Sequence, residues 1–301
     1  PNAALSGATL PAEGVARLLA TFPEDADVRL VVRIGEDGGI VDFRAVAYAA
    51  TFHSHVAADF PEMVVPGSMK RLRKEDFEAA LRLRFSASKN EDRTALRGVS
   101  FGGDGAAYAT DGVRIAWRGS SKRGLRDIFV PEYLVELVVG WGEAPTGYAV
   151  DPGGRLWLAF DGLAVCAACP ADPFPDVRGV VAAGVAGAGK AAGFSADREA
   201  LLAAVRRILL VADDANSAVE LSVEKGRLAL RAPGSAGRPD TAAESLPAKT
   251  RAGSGDRLVR INGQFLLEAV ERFDEFFFLD DALLAFAEDR AFGHLVARLV
   301  Q

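Results

Sequence analysis

Five segments of the chain repeat apolar residues at intervals of three and four, the pattern of a helix that buries one face. These segments are residues 10–22, 74–85, 130–141, 195–210 and 261–273. In the fourth segment, Leu201, Val205, Ile208 and Leu209 fall on one side of a helix, while its arginines fall elsewhere. Strand-like alternation follows each helix and is clearest in residues 218–232, on both sides of a Lys-Gly turn. The pattern therefore predicts an α+β fold.

The same unit, one helix followed by antiparallel strands, recurs along the chain. A Phe-Pro-acidic sequence closes two of these units, at Phe60 and at Phe174, which lie 114 residues apart. The spacing indicates two alternating kinds of unit and two units to a domain. We expect complete domains at residues 69–183 and 191–301. Residues 1–67 hold one unit, of the kind that elsewhere comes second.

The composition is that of an ordinary globular protein long enough for two or three domains. Half of the 301 residues are hydrophobic, and the net charge of -6 with a pI near 5.3 argues against a surface that is basic throughout. A local basic stripe is compatible with that charge. The sequence has no apolar run of about 18 residues that could span a membrane. The N-terminal residues lack the layout of a signal peptide. We expect a cytoplasmic protein with no membrane partner.

The stretch from Tyr108 to Trp117 places an aspartate and a glycine between two strand-like runs. Asp111 and Gly112 favour a tight turn, because both residue types tolerate the positive φ that hairpin turns require. Such a turn explains the aspartate without any chemistry. An active-site turn and the edge of a binding groove are alternatives that these residues alone leave open.

The cysteines and paired histidines do not predict a metal site. Cys166 and Cys169 would need a second pair, or histidines at suitable spacing, to bind zinc. On a strand, their spacing of three also points the two thiols to opposite faces. His53 and His55 would share a strand face, but no third ligand lies nearby in sequence. We expect structural cysteines, a solvated or interfacial histidine pair, and no metal or cofactor.

Several segments together resemble the bacterial sliding clamp, the β subunit of DNA polymerase III. The similarity lies in ATDGVRIAW (109–117), FPDVRGVV (174–181), the helix-and-hairpin stretch 197–230 and the helix 261–273. The resemblance implies the DNA-clamp fold, with two three-domain subunits joined head to tail in a ring around duplex DNA. It also implies a protein without catalytic residues that holds DNA regardless of sequence. Its partners would be the catalytic subunit of DNA polymerase III, the clamp loader and repair polymerases.

The same resemblance places a groove for short peptide motifs of these partners between the middle and last domains. A groove with an apolar floor and a few polar anchors suits an extended peptide rich in leucine and aromatic residues. The positions that it assigns to the groove are Thr110, Gly112, Arg114, Ile115, Pro175, Val180, Leu295, Val296 and Leu299. The last three stand where the family has a Met- and Pro-containing tail, so the peptide preference stays open. A plain hairpin remains the alternative for the 110–115 turn.

Basic residues on and before the second helix, and on the fourth, form a lining suited to phosphate groups. This DNA-facing set is Lys70, Arg71, Arg73, Lys74, Arg82, Arg84, Arg198, Arg206 and Arg207. The third and fifth helices present carboxylates instead, Glu132 and Glu136 on one and Glu268 and Glu271 on the other. A solvated helix face is the alternative for all of these charges.

The resemblance further assigns four apolar residues to a subunit interface. Ala50 and Phe52 would face Leu210 and Val211 of a second copy, which gives a head-to-tail homodimer. Placement in an ordinary hydrophobic core is the alternative. Because residues 1–67 hold only half of a domain, the chain is either a piece of a longer product or a shortened paralogue. A relative that binds peptides without encircling DNA is therefore a second hypothesis.

An ATP-binding enzyme is a third hypothesis, and it rests on Gly184 to Ala191. This segment has the glycine and lysine spacing of a phosphate-binding loop. Ala191 stands where the loop needs a Ser or Thr hydroxyl for Mg²⁺. The surrounding Ala and Gly residues favour a linker between two repeats instead.

Overall fold

The computed structural model describes residues 10–23, 25–35, 38–45, 48–54, 63–120, 125–212, 217–234, 241–253, 258–287 and 291–299. His55 and Phe60, which the sequence analysis singled out, lie outside the described residues. The chain divides into two units, Pro1–Val65 and Pro66–Gln301. This division lies close to residue 67, the predicted end of the opening segment.

The described part of the N-terminal unit contains one helix and one antiparallel sheet. These elements are α1 (Ala12–Leu19), β1 (Arg29–Gly35), β2 (Gly38–Ala45) and β3 (Tyr48–Ser54), with strand order β1-β2-β3. Val41 and Phe43 are buried on one face of β2 because alternate residues of a strand point the same way. Asp42 points to the other face, where its carboxylate accepts hydrogen bonds from Arg33 at 2.5 Å and from Thr51 Oγ1 at 2.7 Å.

Within the described residues, the larger unit carries the remaining strands in three antiparallel sheets. The strands are β4 (Lys70–Arg71), β5 (Gly98–Phe101), β6 (Ala107–Thr110), β7 (Arg114–Arg118), β8 (Ile128–Pro131), β9 (Gly147–Val150), β10 (Arg155–Phe160), β11 (Leu163–Ala168), β12 (Gly193–Ser195), β13 (Ala218–Glu224), β14 (Arg227–Ala232), β15 (Ala242–Pro247), β16 (Lys249–Arg251), β17 (Leu258–Asn262), β18 (Glu275–Phe278), β19 (Ala282–Phe286) and β20 (Phe292–Ala297). Two sheets have four strands each, in the orders β11-β10-β9-β4 and β15-β14-β13-β17.

The third sheet has nine strands in the order β16-β12-β18-β19-β20-β7-β6-β5-β8. It takes β5 to β8 from residues 69–183 and its other strands from residues 191–301. The pairing of β7 with β20, called the seam below, joins these two parts through the register pairs Ile115 with Leu295 and Ala116 with His294. One hydrogen-bonded sheet therefore runs through both predicted domains, whose boundaries stay a prediction.

The helices of the larger unit are α2 (Lys74–Leu83), α3 (Glu132–Trp141), α4 (Arg178–Ala188), α5 (Arg198–Leu209) and α6 (Gly263–Val270). Each of the five predicted segments contains a helix. Side chains at the N-caps define two of the starts: Asp197 accepts from Ala200 N at 2.9 Å, and Asn262 accepts from Gln264 N at 2.9 Å. The predicted stripe of α5 is also confirmed, since Leu201, Val205 and Ile208 are buried.

Helix α4 corrects the prediction of a linker. Alanine has the highest helix propensity, so the Ala-rich stretch forms a helix in spite of its glycines. A Cβ on Gly184 would lie 2.8 Å from Leu295 Cδ1, and one on Gly187 would lie 3.3 Å from Leu279 Cδ2. The glycines therefore let α4 approach the nine-stranded sheet closely. Most of the segment 184–191 is helical, so it is not a phosphate-binding loop.

Candidate functional site

The turn between β6 and β7 is the predicted hairpin. Thr110 pairs with Ile115, and Gly112 has a φ of +94°. Asp111 Oδ1 accepts hydrogen bonds from the backbone N–H groups of Val113 and Arg114, at 2.9 and 3.0 Å. Thr110 Oγ1 accepts from Gly112 N at 3.0 Å and donates to the Arg114 carbonyl at 2.6 Å. The aspartate and threonine thus satisfy the backbone of a tight turn.

Arg114 ties this hairpin to the helical layer. Its side chain is only 4% exposed, and its guanidinium donates to Asp111 Oδ2 at 2.9 Å and to the Phe85 carbonyl at 2.6 Å. It also forms an ion pair with Glu268 and lies 4.0 Å from the centre of the Phe265 ring. Arg114 therefore supports the rim of the predicted groove and offers a partner little surface of its own.

A cavity of about 820 Å³ lies along α4 and contains two of the predicted groove residues, Val180 and Leu295. Its other lining residues are Ala183, Gly184, Gly187, Lys190, Ala191, Phe278, Leu279, Asp280 and Asp281. Val180 is 51% exposed, whereas Leu295 is buried beneath the helix. We call this cavity the α4 groove. It combines apolar walls with one cation and two carboxylates.

Pro175 lines a different cavity, of about 350 Å³, at the start of α4. Tyr108, Phe129 and Phe174 line it as well. Asp176 accepts two hydrogen bonds of 2.8 Å from the Arg178 guanidinium, which lowers the pKa of its carboxyl to about 2. The two cavities therefore follow successive parts of one helix.

The remaining predicted groove residues line neither cavity. Val296 is 1% exposed and packs in the core beneath α5 and α6, because neighbouring residues on β20 point to opposite faces of the sheet. Val296 and Leu295 consequently cannot both face the α4 groove, which corrects the prediction for Val296. Thr110 is buried in the hairpin, and Leu299 is half-buried with its N–H bonded to the Arg260 carbonyl at 2.8 Å.

Sequence reasoning missed most of the α4 groove. Leu279, Asp280 and Asp281 come from a segment that shows no motif, and Lys190 was considered only as part of a phosphate-binding loop. The available signal was the three-residue spacing of Gly184 and Gly187 in an alanine-rich helix, which indicates close packing against a neighbouring element.

The DNA-facing residues are exposed, apart from the half-buried Arg84. Those on α5 are paired with acids: Arg207 binds Glu244 at 2.5 and 2.9 Å, and Arg198 pairs with Asp274. The Glu244 partner raises the pKa of Arg207, and Arg207 in turn lowers the pKa of Glu244. Much of the positive charge of α5 is therefore already neutralised within the protein.

Each set of predicted interface residues lies at the edge of a sheet or beside one. Ala50 and Phe52 are half-buried on β3, the edge strand of the N-terminal sheet. Leu210 directly follows α5 and is 78% exposed, while Val211 is half-buried. Helix α5 packs against β15, itself an edge strand. Exposed backbone at such edges can pair with another chain.

The two cysteines are half-buried, Cys166 on β11 and Cys169 beyond its end. Burial raises the pKa of the Cys169 thiol, whose sulfur lies 3.6 Å from the Phe129 carbonyl. Among the described residues, no three His, Cys, Asp or Glu side chains gather in a way that could hold a metal ion. In that same part of the chain, every helix is too short or too polar to cross a membrane.

The fold matches solved structures of bacterial sliding clamps. A clamp from Caulobacter crescentus superimposes with a TM-score of 0.80 at 22% identity, over 98% of this chain and 82% of that one. DNA polymerase III β subunits from Pseudomonas aeruginosa and Bartonella birtlesii, both bound to griselimycin, give TM-scores of 0.78 and 0.77 at 19% and 20% identity. These matches cover 98% of this chain and 81% and 82% of theirs. No protein-family model and no curated protein matches the sequence. The chain therefore has the fold of the bacterial DNA sliding clamps.

Proposed function

We propose that this protein is a sliding-clamp-like processivity factor. It tethers DNA polymerase III and other replication and repair proteins to duplex DNA through a peptide groove, and it has no catalytic residues. The observation that carries the proposal is the α4 groove, at the junction of the two parts of the nine-stranded sheet. The clamp fold over nearly the whole chain supports the same function.

The α4 groove has the chemistry that an extended peptide needs. Val180, Leu279 and Leu295 provide apolar surface, while Lys190 and the Asp280–Asp281 pair provide charged anchors at the same cavity. Burying two or three peptide side chains contributes about 1.5–3 kcal/mol each, less the free energy lost in ordering the peptide. These contacts total about 3–9 kcal/mol before that cost, so we expect an affinity in the micromolar range or weaker, where micromolar corresponds to about -8 kcal/mol. Such affinity lets partners exchange.

We assign the contacts of the peptide to both cavities that follow α4. Val180 and Leu295 contribute to the α4 groove, and Pro175 contributes to the cavity at the start of the helix. Thr110, Gly112, Ile115 and Arg114 hold the neighbouring hairpin in place, and Leu299, which lines neither cavity, is left out of the assigned contacts. The clamp loader and repair polymerases would use the same groove in turn.

Replacing Val180 with Glu tests this assignment. We expect the variant to bind a fluorescent clamp-motif peptide, rich in leucine and phenylalanine, at least tenfold more weakly in anisotropy titrations. The reason is that one lost apolar contact of about 1.5–3 kcal/mol corresponds to about a 10- to 150-fold change in Kd.

Val185→Glu is the matched control, because Val185 is 43% exposed on the same helix and does not line the α4 groove. Its affinity should equal that of the unmodified protein. Equal losses of peptide affinity in the two variants, or no loss in either, would show that the peptide does not bind in the α4 groove.

A second function, peptide binding without encirclement of DNA, is favoured by the surface of α3. Tyr133, Leu137 and Trp141 are 54%, 38% and 44% exposed on this helix, beside the exposed Glu136. An apolar and acidic surface of this kind does not attract phosphate. The two functions differ in one measurable property, retention on closed circular DNA.

A further inference from the structure

A second type of cavity, lined by arginines and phenylalanines, lies where α2 and α6 end. Its volume is about 450 Å³, within the range of about 300–1,000 Å³ typical of small-molecule sites. Its lining residues are Leu81, Arg82, Leu83, Arg84, Phe85, Arg272, Phe273, Ala287 and Phe292. We call it the basic cavity. It is formed by segments nearly 200 residues apart in the sequence, and among the described residues its lining contains three cations and no carboxylate.

The arginines of the basic cavity differ from those of α5 in their partners. Among the residues that the structure describes, Arg82 and Arg84 have no carboxylate within ion-pair distance. Arg272 is held by Glu271 Oε2 at 2.9 Å and by the Glu268 carbonyl at 2.7 Å. Two guanidinium groups therefore remain available to an anion that enters the cavity.

Aromatic rings contact the guanidinium groups of Arg82 and Arg272. The Arg82 guanidinium carbon lies 5.1 Å from the centre of the Phe292 ring, and that of Arg272 lies 4.5 Å from the centre of the Phe85 ring. Such cation–π contacts limit the motion of a long side chain. Phe85 and Phe292 are both half-buried, so each keeps surface open to the cavity.

Arginine binds phosphate through paired N–H groups, and nucleobases stack on aromatic side chains. From this combination we propose that the basic cavity binds a nucleotide 5′-phosphate, with Arg84 and Arg82 on the phosphate and the phenylalanines against the base. The ligand is a free nucleotide or the 5′-phosphorylated end of a DNA strand. Arg82 and Arg84 also belong to the DNA-facing set, so the site adds a specific ligand to that set; it does not depend on peptide binding at the α4 groove.

Calorimetric titration of the full chain with dTMP tests the proposal. Arg84→Gln should weaken dTMP binding about tenfold, because a hydrogen bond to a charged phosphate is lost. Arg231→Gln is the matched control, since Arg231 is exposed on β14 and does not line the cavity. Deoxyribose 5-phosphate, which lacks the base, should bind about tenfold more weakly than dTMP, and Phe292→Leu should reduce that difference.

The source of the nucleotide is identified by two oligothymidylates, with and without a 5′-phosphate. If the phosphorylated strand binds more tightly and Arg84→Gln abolishes the difference, the ligand is a 5′-phosphorylated strand end. If dTMP binds and neither strand does, the ligand is a free nucleotide. The proposal is overturned if dTMP shows no binding at millimolar concentration, or if Arg84→Gln and Arg231→Gln bind it equally. Peptide affinity at the α4 groove would be unaffected by that failure.

Discussion

His294 is a buried polar residue in an apolar part of the seam. Its side chain has no exposed surface, and neither ring nitrogen has a hydrogen-bond partner among the described residues. The ring stacks on Phe273 at 5.6 Å and meets Phe85 edge-on at 5.0 Å. Burial lowers the pKa of His294 well below its usual value, and the charges of Arg114 and Arg272 lower it further. The imidazole is therefore neutral and unsatisfied.

Replacing His294 with Leu should stabilise the larger unit by about 1 kcal/mol, because an unsatisfied buried polar group is removed. The stability of the unmodified protein should also fall as the pH drops below about 6.5, because the unfolded state then binds a proton that the folded state rejects. His294→Leu should reduce this loss.

Urea unfolding at pH 7.5 and pH 5.5, followed by tryptophan fluorescence, measures both effects. Trp117, Trp141 and Trp157 all lie in the larger unit, so their emission reports its unfolding. His53→Leu, at an exposed position of β3, is the control. An unchanged pH dependence in His294→Leu would show that another group dominates the acid response.

Single residues also mark the limit of what the sequence predicts. The role of Asp111 in a turn followed from its neighbour Gly112, since turn chemistry is local. The burial of Arg114 did not follow, because its partners Glu268 and Phe265 are brought to it by packing between distant segments. Local patterns thus identified the turn but not the contacts that hold it.

Among the elements, helices with one buried stripe were predictable and α4 was not. Helix α5 alternates an apolar and a charged face, which is a periodic signal. Helix α4 consists largely of Ala, Gly and Val, and such a composition is shared with flexible linkers. Its glycines are explained only by the closeness of Leu295 and Leu279 on the sheet below.

Two glycine substitutions in α4 separate helix propensity from packing. Gly179→Ala should stabilise the protein by about 0.5–1 kcal/mol, because no atom lies within 4 Å of the new Cβ and the unfolded chain loses freedom. Gly184→Ala should instead destabilise it by about 1 kcal/mol, because the new Cβ displaces Leu295. Thermal unfolding of both variants measures the difference. Equal stabilisation would mean that α4 is not tightly packed at Gly184.

For the whole molecule, the net charge of -6 did not reveal where its cations lie. The resemblance to sliding clamps predicted the fold across both units. The pattern of repeated helix-and-sheet segments is recognisable even between proteins whose individual side-chain contacts differ. It did not predict the seam register, since Ile115 and Leu295 are paired only by tertiary structure. Assembly into a ring stays a prediction that rests on the exposed Leu210.

Substituting Asp for Leu210 should reduce self-association. Leu210 is 78% exposed in the single chain, and an aspartate at this position would place a buried charge in the proposed subunit interface, which is unfavourable. Light scattering across a concentration range should show a dimer for the unmodified protein and a monomer for the variant. Leu163→Asp, at a 49% exposed position on β11, is the control.

The same pair of variants connects assembly to DNA. The unmodified protein, placed by a clamp loader on nicked circular DNA, should remain bound until the circle is cut, whereas Leu210→Asp should dissociate at once. Retention on linear DNA that falls steeply with salt would indicate ordinary electrostatic binding instead. An unaltered mass for Leu210→Asp would count against this interface.

The seam has a mechanical consequence. Pulling the two halves of the larger unit apart would require the backbone hydrogen bonds that join β7 to β20 to break together. A sheet can twist at such a pair of strands, but its two halves cannot separate while the pairing persists. The two halves of the larger unit therefore stay joined unless this ladder opens as a whole.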